Sequence, residues 1–335
     1  MFKLSVLDQS TAAAGLPEDQ AIRDTIELAK FCEALGYHRF WVSEHHCHPT
    51  IVGSAPEIMI AAIAQVTERI RIGSAGVMLP HYAPLKVAEQ FRVLDAIAPG
   101  RIDLGLGRAP GSDGKTAYAL NPNANIDAEN FPANVRDLIA WVSGQPLVDG
   151  HPHQGLGAHP QSASSPDVWM LGTSDFGAQL AAHLGVPYSF AHFITDGMGV
   201  ERALDIYRQN YRPSERHPTP EANVCVWALA AQTEADAEFL FSSRAYCKIT
   251  RDQGDLRPIE APRAVKDYDF SRTQQIRYDQ LRETALIGSG DQVADKLRAL
   301  ADRYDIDEVV VLTWTHEQAD RRRSYELLAQ ASGLA

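Results

Sequence analysis

Residues 100–108 read Gly-Arg-Ile-Asp-Leu-Gly-Leu-Gly-Arg. A two-residue alternation runs through Ile102–Gly107, with Ile102, Leu104 and Leu106 on one face and Asp103, Gly105 and Gly107 on the other. In a closed barrel the aliphatic face meets an outer layer of helices and the second face looks into the lumen. Two inward glycines would let a flat ligand approach the backbone there. Arg108 follows on the rim as a fork for an anion. The run Gly105-x-Gly107-x-x-x-Gly111 is one residue too long for a dinucleotide fingerprint. Pro110 with Gly111-Ser112-Asp113-Gly114 opens a loop where that fingerprint needs a helix.

Outward from this strand the chain alternates strand and helix nearly end to end. Strands are expected at Phe2–Leu7, Tyr37–Ser43, Ile70–Leu79, Val168–Leu171, Pro187–Phe190, Asn223–Ala230 and Glu308–Leu312, making eight with Ile102–Gly107. Helical spacing marks Pro17–Leu35, Ala55–Val66, Pro84–Ile97, Val135–Val142, Ala178–Leu184, Arg202–Tyr211, Glu234–Tyr246 and Gln318–Ala331. Gly36 is placed to cap the first helix, and Ser289 with Gln292 forms a capping box before the helix ending near Tyr304. Eight such units over 335 residues favour an α/β fold of the (β/α)8 TIM-barrel type, one domain spanning 1–335, over a doubly wound open sheet. Two stretches break the rhythm and read as insertions, near 145–166 and near 250–284. The second, polar and containing Pro258 and Pro262, is expected to act as a mobile lid.

Composition narrows the function. The chain is 45% hydrophobic and 22% charged, which suits a large core, and its formal charge is 31 − 43 = −12. A negative field disfavours nucleic acid and anionic lipid as partners. The four cysteines form no C-x-x-C pair, so neither a disulfide framework nor a thiolate zinc site is expected. The first residues read as a strand, and no apolar run is long enough to span a bilayer. These features together point to a cytoplasmic protein.

The densest chemistry lies in Trp41-Val42-Ser43-Glu44-His45-His46-Cys47-His48, at the C-terminal end of the second strand, where barrels build their active sites. A histidine there can act as a base or a hydrogen-bond donor, oriented by the adjacent carboxylate. A metal reading rests on His46-x-His48 and His151-x-His153. Metal-dependent hydrolase barrels, however, carry the pair on the first strand, where this chain has Leu7-Asp8-Gln9, so no metal is expected. Gly172, Thr173 and Ser174 end another strand at a helix N-terminus. Joined to Arg108 they would form a phosphate clamp.

Taken together these segments resemble the bacterial luciferase-like, flavin-dependent monooxygenase family, in its non-luminescent branch. The residues that carry the resemblance are Tyr37–His46, Ile72–Pro80, Pro84–Leu94, Gly100–Gly111, Leu171–Ser174, Gly185-Val186-Pro187 and Ile287-Gly288-Ser289. It runs from about Phe2 to Leu328. The resemblance implies a barrel holding FMN at its C-terminal mouth, with the reduced form supplied by a separate flavin reductase. Molecular oxygen would then oxidise a small organic substrate. It also implies roles: His45 catalytic, Glu44 beneath the flavin ring, Ala75-Gly76 a non-proline cis peptide against the ring, and Arg108, Gly172, Thr173 and Ser174 at the phosphate. Gly107 stands where light-emitting members have a reactive cysteine, and His192 where they have a ring-stacking tryptophan, so light emission is not expected. A deazaflavin-dependent dehydrogenase and a non-catalytic flavin-binding protein remain as alternatives on the same barrel. The apolar residues of Ala55–Val66 wrap beyond one helix face, and a homodimer paired through that helix is expected.

Overall fold

The computed structural model describes residues 2–334. Its strands are β1 (Lys3–Asp8), β2 (Arg39–Val42), β3 (Arg71–Met78), β4 (Ile102–Gly107), β5 (Asp167–Gly172), β6 (Tyr188–Ala191), β7 (Ala222–Ala231), β8 (Leu286–Ser289) and β9 (Glu308–Leu312). Strands β1 to β7 follow one another in space, and β9 closes the ring between β7 and β1, all in parallel. The result is the expected (β/α)8 barrel with helices around it. Strand β8 is additional. It pairs with Ala228–Ala231, past the part of β7 that pairs with β9. Four residues including a glycine carry too little alternation to read as a strand from sequence.

The strands show why the barrel closes. Val6, Phe40, Leu104, Leu106, Val224, Val226, Val309 and Val311 belong to the outer core against the helices. Their neighbours Leu7, Trp41, Cys225, Trp227, Val310 and Leu312 belong to an inner cluster. At the N-terminal end the lumen is filled by charge. Arg39 donates from Nε to Glu308 at 2.8 Å and from Nη1 to Asp103 at 3.0 Å, all three residues being buried. Arg71 adds a second guanidinium to Asp103 and reaches Asp167 at 2.8 Å. Burial alone would raise the Asp103 carboxyl, but Arg39 and Arg71 override it and hold it below the usual range. Above this layer Trp41 donates its indole N–H to Asp103 at 2.9 Å and meets Trp169 edge-on at 5.2 Å.

Residues 145–166 form neither helix nor strand, as the sequence implied. Buried Arg92 donates to the carbonyls of Pro160 and Ser164, at 2.8 and 3.0 Å, and fastens that excursion to the barrel. The 250–284 stretch is more ordered than its polarity suggested. The helix that begins at Glu234 continues to Asp252, and helices Pro262–Lys266 and Arg272–Glu283 follow. Ser271 and Gln274 cap the last of these reciprocally. Ile259, fully buried, exchanges backbone hydrogen bonds with Ala12 and Ala14 of the loop after β1. The segment is therefore pinned to the mouth of the barrel.

Removing one partner of a buried ion cluster strands the others without compensation. Arg39→Met should lower the unfolding free energy by about 3–5 kcal/mol, read by urea denaturation followed through tryptophan fluorescence. An unchanged midpoint would show that the cluster does not support the barrel.

Candidate active site

A cavity of about 520 Å³ opens at the C-terminal ends of the strands, within the roughly 300–1,000 Å³ typical of small-molecule sites. Trp41 forms part of its lining, so the residue anchored below to Asp103 also bounds the open space above it.

Beyond β2 the chain turns outward through Ser43-Glu44-His45-His46. Glu44 is 1% exposed, and three donors satisfy its carboxylate: the Met78 N–H at 3.0 Å, the Tyr82 hydroxyl at 2.6 Å and His46 Nε2 at 2.7 Å. It thereby ties the end of β2 to the end of β3, and its side chain stands outside the cavity lining. Burial and the Glu44 charge push the Tyr82 phenol well up, so it stays a neutral donor. His45 is held by its backbone N–H to the Gly53 carbonyl at 2.9 Å, and its Nδ1 lies 3.2 Å from the Ser43 hydroxyl. Its ring lines the cavity. Burial, reinforced by His48, His46 and Arg251, pushes it down to about 4. At neutral pH His45 is therefore an uncharged imidazole, able to donate one hydrogen bond and accept another.

Ala75 and Gly76 line the cavity and are joined by a cis peptide bond. A Cβ on Gly76 would lie 2.7 Å from the Gly105 carbonyl oxygen and 2.4 Å from a Leu171 methyl, so only glycine fits. Gly105 serves a different purpose from the one its inward position suggested. Its missing side chain makes room for the Ser74 carbonyl, 2.1 Å from where a Cβ would be, and not for a ligand. Gly107, by contrast, does line the cavity.

Arg108 and the Gly172–Ser174 turn come together at the cavity wall. The guanidinium lies 4.1 Å from the centroid of the Phe176 ring, on the helix Asp175–Leu184 whose N-cap is Ser174. No side chain caps that helix, and its one first-turn carboxylate, Asp175, is paired with Arg202 at 2.6 Å. Free N–H groups, two hydroxyls and a guanidinium are the kind of donors that could hold an anion. His192 is placed apart from these residues. It opens the short helix after β6 and lines a smaller adjoining cavity with Asp196 and Lys248, while Ile194 lines the main one and Phe193 lines both. Sequence reasoning passed over Arg244, Arg251 and Trp314, which also line the main cavity. The available signal was the spacing of Arg244, Lys248 and Arg251 at i, i+4 and i+7 on one helix.

Fold and site together give a (β/α)8 barrel whose mouth holds a cavity lined by Trp41, by Arg108 beside an uncapped helix N-terminus, and by a neutral His45. The luciferase-like monooxygenase profile matches residues 1–305, and the chain belongs to that family. The Bacillus subtilis (strain 168) protein YwcH is 42% identical over 332 residues, 99% of either chain. A luciferase-like monooxygenase of Escherichia coli K12 is 37% identical over 324 residues, 96% of this chain and 95% of that one. The crystal structure of apo-MsnO8 matches with a TM-score of 0.89 and 36% identity, covering 100% of this chain and 99% of that one. Two remoter structures share the fold. The oxygenating constituent of 3,6-diketocamphane monooxygenase of Pseudomonas putida, in complex with FMN, has a TM-score of 0.73 at 18% identity, covering 99% and 98%. An F420-dependent secondary alcohol dehydrogenase with an F420–acetone adduct has 0.70 at 13%, covering 99% of each chain.

The electrostatics of His45 can be read directly. In a histidine-selective NMR titration its imidazole should stay neutral until the pH falls to about 4. The unfolded chain takes up that proton near pH 6.5. The folded state therefore loses stability relative to His45→Gln as pH falls through that window. A midpoint above 6 would contradict the account of the site.

Proposed function

We propose that this chain is the oxygenase of a two-component, FMN-dependent monooxygenase, receiving reduced FMN from a separate flavin reductase and oxidising a small organic substrate. The observation that carries this reading is the placement of Arg108 beside the uncapped helix N-terminus at Ser174, on the wall of a cavity of about 520 Å³. The residues present fit FMN: a phosphate suits the Arg108 and Thr173–Ser174 end, and a flat ring suits the side-chain-free wall at Gly76 and Gly107. The FMN-bound and F420-bound barrels at low identity support a flavin-type ligand without choosing between the two.

Reduced FMN held by Arg108, Thr173 and Ser174 would supply the two electrons by which O2 could give one oxygen atom to the substrate and the other to water. The protein's share is positioning and proton handling. Arg108 and the helix N-terminus hold the anionic end. Trp41 closes the floor and keeps water out from below. His45, uncharged at neutral pH, offers an N–H to a developing anion or accepts a proton at its free nitrogen. Glu44 fixes the loop that carries it. Because His45 stands at that wall, its loss falls on turnover, while the phosphate end keeps the cofactor bound.

We further propose that the enzyme works as a homodimer paired through Ala55–Val66. Helix Pro56–Ala64 buries Met59, Ile60 and Ile63, yet Ile58 is 66% exposed, and Val93 on the adjacent helix is 47% exposed. Ile63 is fully buried, so Ile58 is the side chain that probes an interface.

A charge-assisted phosphate contact contributes about 1.5–3 kcal/mol. Arg108→Ala should therefore weaken FMN at least about tenfold and leave riboflavin, which has no phosphate, unchanged. Fluorescence quenching with FMN, riboflavin and F420 in parallel reads both the site and the cofactor. Equal losses for FMN and riboflavin would rule out the phosphate assignment, and tighter F420 binding the FMN reading. Light scattering should give the mass of two chains, and Ile58→Arg the mass of one. A wild-type mass of one chain at micromolar concentration would refute the dimer.

A further inference from the structure

The helix Glu234–Asp252 presents Arg244, Lys248 and Arg251 on one face, and that face is turned toward the barrel mouth. Arg244 and Arg251 line the main cavity, and Arg244 and Lys248 the smaller one beside it. Arg244 is 6% exposed, and its Nε and Nη1 have no hydrogen-bond partner. Its guanidinium lies 5.2 Å from the Trp227 ring centroid and 5.1 Å from that of Trp314. The indole N–H of Trp314, on the same cavity, is also without a partner. Asp196, the one carboxylate among the described residues lining the smaller cavity, accepts from Lys248 and, at 3.3 Å, from Arg277. No aspartate or glutamate among the described residues lines the main cavity.

A buried cation with unused donors is costly unless an anion completes it. The two indole faces offset part of that cost through cation–π attraction. They cannot accept the in-plane N–H groups, which require oxygen. Burial pushes the guanidinium down to about 10, so it remains charged at neutral pH; Asp196 and Asp252 act on it from a distance, but neither carboxylate accepts a hydrogen bond from it among the described residues. The chain as a whole carries −12 and would repel anions. Arginines at this wall reverse the sign of the field locally. Arg251 also bears on His45, which it helps to hold uncharged, so this cationic wall faces the proposed reacting side of the cavity. The phosphate proposed for Arg108 and Ser174 uses a different set of residues. An anion entering from the cavity would meet the unused donors of Arg244.

We propose that Arg244, with Arg251 and the Trp314 N–H, receives a carboxylate of the organic substrate, making this enzyme selective for organic acids over neutral analogues. The word substrate rests on the oxygenase reading above, whereas the anion site rests on the orphaned donors alone.

The test uses the purified full-length protein with a panel of paired probes: hexanoate and hexanamide, benzoate and benzamide. Calorimetry, with Trp fluorescence as a second readout, should show at least one acid binding about tenfold or more tightly than its amide. Arg244→Met and Arg244→Gln should each bring the pair to parity. FMN affinity should stay within about twofold of wild type in both variants. Parity throughout the wild-type panel overturns the proposal, and so does an acid preference that survives both substitutions. A loss of FMN without loss of riboflavin in either variant also overturns it, assigning Arg244 to the cofactor phosphate. Should both variants fail to fold, Arg251→Ala decides: a reduced acid preference supports the site and an unchanged one overturns it. If wild-type protein prefers acids but binds no FMN, the anion site stands and the oxygenase reading falls.

Discussion

Arg39 is the residue around which the barrel closes. One guanidinium reaches the carboxylates of Glu308 on β9 and Asp103 on β4, and it also meets Glu221 at 3.1 Å just before β7. Strands far apart around the ring are thereby tied to a single buried point. Its guanidinium stacks 4.6 Å from the Trp169 centroid, and Asp103 in turn takes the Trp41 N–H. The lumen is thus filled in layers, charge at the bottom and indole above it. What remains above the indoles is open. Barrels usually fill their interior with aliphatic side chains. Here the polar plug supplies rigidity below, and small residues at Ala75, Gly76 and Gly107 leave space above.

The site that results is electrostatically divided. At one end the Glu44 carboxylate is wholly consumed by backbone, phenol and imidazole donors, so it shapes the wall without charging the cavity. Positive groups at Arg108, Arg244 and Arg251 set the field instead. Burial first, and then the neighbouring His48, His46 and Arg251, keep His45 neutral. An uncharged histidine among cationic neighbours is suited to stabilising a developing negative charge and to accepting a proton, and poorly suited to carrying one at rest.

Much of this was legible in the sequence because period-two alternation and the positions of glycine survive in a linear reading. Ile102–Gly107 gave its inward and outward faces correctly, and Ser289 with Gln292 caps its helix as the spacing required. Arg108 and Gly172–Ser174 could be named because strand ends and helix starts carry local signatures. Other features depend on partners distant in sequence. The role of Arg39 is invisible until Asp103 and Glu308 stand beside it. Gly105 looked like room for a ligand, and only the approach of the Ser74 carbonyl shows what it accommodates. Arg244 lies in a helix whose burial comes from packing against β7 and the following segment, so nothing local in the sequence marks it as buried. Helices at Pro262–Lys266 and Arg272–Glu283 were hidden by polar composition, which here reflects one-sided burial.

The central claim is that the open layer above Trp41 holds FMN with its phosphate at Arg108. A crystal structure of the protein with FMN tests it most directly. The account predicts the phosphate within hydrogen-bonding distance of the Arg108 guanidinium and the backbone N–H groups after Ser174, and the ring against Ala75–Gly76 with His45 at its edge. A phosphate seated against Arg244, or a flavin bound outside the barrel mouth, would contradict it.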